Sequence, residues 1–292
     1  MTMQRIAILG TGLIGASVGM ALRAHGFEGR IAGWDPRPEE AAAARRVGAI
    51  EEIAADAVTI AKSSDVIVLA GPVLTMLDWL DRLAPLLGAH QLVTDVGSVK
   101  GALCRQAAGR YNGPRQPGFL PGHPMAGKEV GGAANADGNL FEGAVWLFTD
   151  PEEAAERSEA AHALAWQWRA WIAKFGCRVL DMDPARHDVL CAWISHLPQM
   201  VSTALSSLLE EQFAANDDLL PIGGRALREM TRLGASPFSM WRDIAQTNTE
   251  AIANSLLALE QRLAHLRENL KTPELRAEFE QANRFRLAQP PK

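Results

Sequence analysis

The chain has 292 residues, with 29 Lys and Arg against 34 Asp and Glu for a formal net charge of −5; at roughly 100–200 residues per domain this length predicts two domains. Apolar residues make up 48% and charged residues 22%, with a mean hydropathy of −0.05, proportions that sustain a sizeable core and exclude a disordered or fibrous chain. A pI near 5.8 argues against a nucleic-acid binder driven by a broad basic field, and no apolar run reaches the ~18–20 residues of a membrane span.

The opening MTMQRIAILG runs straight into a strand pattern with no small-residue cleavage site, so a cytoplasmic chain without a leader is expected. Residues 5–10, 30–35, 65–71 and 92–98 are near-continuous apolar runs closed by Gly, Asp or Ser, the pattern of strands buried on both faces of a parallel sheet. Further strands are predicted over 118–123, 145–149 and 177–183. Helical patterns over 13–25, 38–47, 72–87 and 99–110 fill the intervals, and Pro72 stands where its fixed φ and missing N–H suit a helix start. This alternation predicts an α/β fold with a doubly wound sheet.

Beyond Asp183 no strand pattern remains, and 187–213, 223–233, 238–270 and 273–287 read as helices. The expected division is therefore residues 1–183 as the α/β domain and 184–292 as an all-α domain. Ile252, Leu256, Leu259, Leu263, Leu266 and Leu270 recur at steps of four and three, which lays one apolar stripe along a helix. The stripe is either packing within the subunit or a dimer seam. Cys104, Cys177 and Cys191 are scattered and form no C-x-x-C pair, so reduced, packed thiols are expected, with no metal centre and no disulfide framework.

Gly10-Thr11-Gly12-Leu13-Ile14-Gly15 has the G-x-G-x-x-G spacing, follows a strand and opens a helix, and Asp35 closes the second strand about 20 residues further on. That context makes the first domain a Rossmann-type dinucleotide site. Gly10 gives the tight turn, Gly12 the close approach of a pyrophosphate, and Gly15 the close packing of helix on strand. A carboxylate at Asp35 accepts from a ribose 2′-OH and repels a 2′-phosphate, so NAD is expected over NADP. Arg37 is either a solvated loop charge or a residue that accommodates that phosphate.

Three further clusters carry chemistry. In Asp95-Val96-Gly97-Ser98-Val99-Lys100, at a strand's carboxyl end, Ser98 is a helix N-cap, a functional hydroxyl, or both. In His123-Pro124-Met125-Ala126-Gly127-Lys128-Glu129, His123 is either a satisfied structural histidine or a base; a neutral imidazole with a pKa near ~6.5 suits a hydroxyl proton, with activity falling below that pH. The third cluster is helical: His196 and Gln199 share a helix face, Pro198 between them bends the helix, and Arg232 and Trp241 lie downstream.

As a set, GTGLIGAS (10–17), DVGSVK (95–100), HPMAGKE (123–129), WISHLP (193–198) and REMTRLGASPFSMWRD (228–243) resemble the TyrA family of prephenate and arogenate dehydrogenases over nearly the whole chain. The resemblance implies a Rossmann domain followed by a helical domain that forms a homodimer. It also implies oxidative decarboxylation of a small cyclohexadiene with no nucleic-acid or membrane partner. By the same resemblance His123 acts on the C4 hydroxyl, Ser98 holds that histidine beside the nicotinamide, and Arg232 binds a substrate carboxylate. His196, Glu129 and Trp241 line the pocket. Many prephenate-using members carry a second histidine where this chain has Gln199; a neutral amide there leans toward arogenate or toward both dienes.

Two other readings compete. A 3-hydroxy acid dehydrogenase on the same plan would carry a lysine on the helix entering the second domain, but no lysine lies between 175 and 270. A non-catalytic NAD-sensing dimer would need no base in the 123–129 loop.

Overall fold

The computed structural model describes residues 2–128, 130–150, 154, 156–213 and 219–288. Six strands, β1 (Arg5–Leu9), β2 (Arg30–Trp34), β3 (Glu52–Ile53), β4 (Val66–Leu69), β5 (Leu92–Asp95) and β6 (Gly118–Leu120), form one parallel sheet in the order β3-β2-β1-β4-β5-β6. Helices α1 (Leu13–Ala24), α2 (Pro38–Arg46), α3 (Ala57–Lys62), α4 (Val73–Leu83) and α5 (Gly101–Ala107) connect them. The apolar residues of β1 and β4 are buried on both faces, as their unbroken Ile, Val and Leu runs require. The order reverses between β1 and β4, so a crevice opens beyond their carboxyl ends, where an open α/β sheet binds ligands.

The run 118–123, predicted as one strand, is two. Pro121 has no N–H to give a ladder, and the chain changes sheets there. Strand β7 (Gly122–Pro124) pairs antiparallel with β8 (Val145–Phe148), which sets His123 opposite Leu147; β9 (Arg178–Asp181) follows α6 (Glu159–Lys174) and lies parallel to β8. The short β3 and α3 fall below any periodic signal in the sequence.

Helices follow: α7 (Pro184–Cys191), α8 (Leu197–Phe213), α9 (Leu219–Ile222), α10 (Arg225–Thr231), α11 (Phe238–Thr247), α12 (Thr249–Glu268) and α13 (Pro273–Leu287). Asp183 caps α7 by accepting from Arg186 N–H at 2.9 Å. The bend expected at Pro198 takes the form of a π turn over Ala192–His196, in which Leu197 N–H donates to the Ala192 carbonyl. The predicted helix 238–270 is likewise two, broken at Asn248. Of the leucine stripe, Ile252 is buried, whereas Leu256, Leu263 and Leu270 are 38%, 57% and 62% exposed. Among the described residues no helix is long and apolar enough to cross a membrane.

Two carboxylates of the helical segment fasten it to helices of the α/β domain. Asp188 accepts from Lys100 N–H at 2.7 Å and Gly101 N–H at 2.8 Å at the start of α5, and Asp243 accepts from Leu74 N–H at 3.3 Å at the start of α4. Between them Val99, Ala192, Ile244 and Ile252 form a small buried apolar cluster. The cap expected of Ser98 is therefore supplied from elsewhere: α5 begins at Gly101, three residues on, and its first N–H groups are taken by Asp188.

Candidate active site

The glycine turn has the geometry its spacing predicts. Gly10 sits at φ +99°, and a Cβ there would come within 2.6 Å of the Ala70 carbonyl oxygen; at Gly15 it would fall 2.0 Å from the Gly10 carbonyl oxygen. Gly12, at the N-cap of α1, faces open space with nothing within 4 Å of where its Cβ would be. The α1 N-terminus thus directs its first backbone N–H groups into open space, the arrangement that suits a pyrophosphate. Leu13, Ile14, Arg37, Gly97 and Ser98 line the cleft of about 340 Å³ that opens there. Asp35 accepts from Thr11 N–H at 2.8 Å and Arg37 N–H at 3.0 Å, which fixes its carboxylate at the end of β2 with lone pairs to spare. The Arg37 guanidinium lies 3.3 Å from Glu40 and is mostly exposed.

A buried ion pair ties this cleft to His123. Lys100 Nζ contacts Asp95 Oδ2, with both side chains fully buried, and donates to the Gly122 carbonyl at 2.6 Å. Asp95 also accepts from Gly97 N–H at 2.8 Å and Gly122 N–H at 3.2 Å. Burial raises the Asp95 carboxyl, and the Lys100 ammonium with these two amides draws it back toward the charged form. One carboxylate therefore holds both the loop that carries Ser98 and the strand that carries His123. No hydrogen bond joins Ser98 to His123 among the described residues.

His123 is buried, and its ring partner is instead a residue of α7: Nδ1 lies 2.8 Å from His187 Nε2, and His187 Nδ1 lies 2.9 Å from Asp188 Oδ1. Burial, followed by Coulombic coupling to the neighbouring His187 ring, the Lys100 ammonium and the His196 ring, holds the His123 pKa well below 6.5. Cys191 Sγ sits 3.5 Å from His187 Nε2, and burial pushes its thiol up to about 12. His123, His187 and Cys191 bring ligand-type atoms within 4.8 Å of one another. The 2.8 Å separation of the two ring nitrogens is that of a shared proton.

His196, on the π turn, is also buried. Asn248 Nδ2 donates to the Asp188 carbonyl at 2.9 Å and faces His196 Nδ1 at 3.3 Å. The amide orientation is set by that carbonyl, so Nδ1 of His196 is an acceptor and the ring proton lies on Nε2. Burial pushes His196 down to about 4, which keeps it neutral. Trp241 packs edge-on against it with ring centroids 5.8 Å apart, and the buried Trp241 Nε1 has no hydrogen-bond partner among the described residues.

Gln199 is placed differently from expectation. Its Nε2 donates to the Leu233 carbonyl at 2.7 Å, and its Oε1 accepts from Ser236 Oγ at 3.0 Å. Its polar atoms brace the 3-10 turn Arg232–Ala235, on which Arg232 lies exposed. Glu129 lies outside the described residues. Sequence reading overlooked His187, Asp188 and Asn248. The available signal was the adjacent His-Asp pair at the start of a helix, with Cys191 one turn on.

The family described as prephenate dehydrogenase, nucleotide-binding domain, matches residues 18–174, and that described as prephenate dehydrogenase, dimerization domain, matches residues 183–282. Over 252 residues (85% of this chain and 65% of the relative) the chain is 31% identical to prephenate dehydrogenase of Bacillus subtilis. It spans about two thirds of the length of that relative and of the one from Lactococcus lactis (65% and 66%). The structure of A. aeolicus prephenate dehydrogenase in complex with hydroxyphenyl propionate and NAD+ superposes with a TM-score of 0.84 at 30% identity, covering 98% of both chains. Synechocystis arogenate dehydrogenase superposes with a TM-score of 0.76 at 29% identity, covering 97% of this chain and 99% of that one.

Proposed function

The chain belongs to the prephenate dehydrogenase family, and on that premise we propose that it catalyses NAD-dependent oxidative decarboxylation of a cyclohexadiene, prephenate or arogenate, to 4-hydroxyphenylpyruvate or tyrosine in tyrosine biosynthesis. The observation that carries this reading is the Asp95–Lys100 pair, which ties the cleft-lining loop and the strand of His123 to one buried point. A base and a dinucleotide cleft fixed to one another are what hydride removal from a hydroxyl-bearing carbon needs.

Gly10, Gly12, Leu13, Ile14 and Gly15 hold the pyrophosphate and Asp35 the ribose. Arg37, turned to Glu40, is the solvated charge. When bound, the nicotinamide supplies the hydride acceptor. His123 accepts the C4 hydroxyl proton as the C4–O bond gains carbonyl character. Loss of carbon dioxide from C1 then feeds its bonding pair into the ring, and the proton returns to the oxygen as the phenol forms. Arg232 pairs with the side-chain carboxylate of the diene. His196 offers its Nε2–H as a neutral donor, Ser98 borders the nicotinamide, and Trp241 closes the pocket behind His196. A neutral donor suits the departing ring carboxylate, because a cation there would bind the ground state as well as the transition state and raise kcat little.

We divide the chain at 183, between β9 and α7, and take the helical part as a homodimerisation domain in a cytoplasmic enzyme. The dimerization-domain match and the three exposed leucines support that assembly. The test is the absorbance of NADH with each diene in turn, repeated with NADP. Turnover of at least one diene, faster with NAD, is expected; turnover of neither overturns the reading.

A further inference from the structure

We propose that His187 and Asp188 are positioning residues that hold His123 in one tautomer, its proton on Nδ1, and so leave Nε2 as the acceptor for the substrate hydroxyl. The inference rests on the activity proposed above. Asp188 is fixed independently of any histidine, because both its oxygens cap α5 through Lys100 N–H and Gly101 N–H. A carboxylate oxygen accepts, so at 2.9 Å His187 Nδ1 is the donor and carries that ring's proton. His187 Nε2 then holds a lone pair, and the 2.8 Å contact obliges His123 Nδ1 to donate. The proton of a neutral His123 is thereby assigned, and its Nε2 has no hydrogen-bond partner among the described residues.

The same two bonds serve the charged state. When Nε2 takes the hydroxyl proton, the positive charge on His123 strengthens its Nδ1–H bond to His187, which is polarised in turn by Asp188. The proton goes back to the same oxygen when the ring aromatises, so the relay ends as it began. His187 is fully buried, with Cys191 against its edge, so water does not replace it as the acceptor.

The experiment measures 15N shifts of the histidine rings in the free enzyme alongside kinetics of His187→Leu and His187→Gln. The wild type is expected to show His123 with a protonated Nδ1 and a bare Nε2. His187→Leu removes the acceptor, returns His123 to the Nε2–H form and lowers kcat by about 100-fold at unchanged KM. His187→Gln keeps an acceptor oxygen and retains the Nδ1–H tautomer with most of kcat. A wild-type His123 protonated on Nε2, or a folded His187→Leu with kcat within about threefold of wild type, overturns the relay. If His187→Leu does not fold, the wild-type tautomer and the Gln variant decide. Wild-type turnover of neither diene is a failure of the activity alone, and the tautomer measurement needs no substrate.

Discussion

Lys100 Nζ donates across 2.6 Å to the carbonyl of Gly122, the residue immediately before His123. The ammonium is fully buried against Asp95, so its position depends on that carboxylate. Removing one member of such a pair leaves an uncompensated buried charge, which costs about 3–5 kcal/mol. Lys100→Met is expected to lose about that much stability in urea unfolding, and Asp95→Asn combined with Lys100→Met to recover part of it. Equal losses in the single and double variants would mean that charge pairing is not what the substitution removes.

His123→Asn keeps a polar side chain of smaller size on β7 and abolishes the proton acceptor. The expected result is a kcat lowered about 10²–10⁴-fold, with the Kd for NAD unchanged in a fluorescence titration. Wild-type turnover would remove His123 as the base, and loss of NAD binding would make its role structural.

The pH dependence departs from what an exposed histidine would give. His123 is held well below 6.5, chiefly by burial, so the neutral base survives below the pH at which a free imidazole protonates. The acidic limb of kcat is therefore expected well below pH 6.5, where sequence alone placed it. Stability follows the opposite ledger. The unfolded chain binds protons near pH 6.5 that the folded chain refuses, so stability is full above that pH and falls as pH drops toward the folded value, about 4 for His196. At about 1.4 kcal/mol per pH unit for each such group, His196 alone accounts for a loss of about 3 kcal/mol. Urea unfolding between pH 7 and 4.5 measures the slope, and His196→Gln should reduce it by one proton; an unchanged slope would show that His196 is not the titrating group.

The dinucleotide half of the site was legible because its chemistry is local: the turn at Gly10, the cradle at Gly12 and the carboxylate of Asp35 lie within one βαβ unit, where spacing fixes geometry. His123 and His196 could be picked out for the same reason, each in a short, distinctive segment. The partners of these histidines could not. Asp188 reaches α5 from 88 residues away, and Asn248 joins His196 across a helix break that hydrophobic periodicity runs straight over. Ser98 is not the cap of α5 because a remote carboxylate takes those bonds, and the bonds of Gln199 to a turn 34 residues on were equally out of reach of local sequence.

Arg232 lies exposed on a turn whose backbone Gln199 holds through the Leu233 carbonyl. If its guanidinium binds the diene's side-chain carboxylate equally in ground and transition states, Arg232→Ala raises KM about 10- to 100-fold and leaves kcat nearly unchanged. Gln199→Leu frees the turn without touching the charge, so it should raise KM in the same direction by less. Steady-state kinetics on both variants decide; an unchanged KM in Arg232→Ala places the carboxylate partner elsewhere.

The stripe on α12 separates two uses of one sequence pattern. Ile252 is spent inside the subunit, next to Val99 and Ala192, whereas Leu256 and Leu263 stand open on the same helix and Leu270 just past its end. Each such leucine forgoes part of the about 1.5–3 kcal/mol that full burial yields unless another surface covers it. A second copy meeting the stripe in a two-fold arrangement would cover both sets at once, because such an interface joins like patch to like. Leu263→Glu places a charge in the middle of that seam, so the variant is expected to sediment as a monomer at concentrations where wild type is a dimer. Its secondary structure should be unchanged, since the site is on the outside of α12. A wild type that sediments as a monomer, or a Leu263→Glu dimer of undiminished strength, would return the stripe to being surface of the single chain.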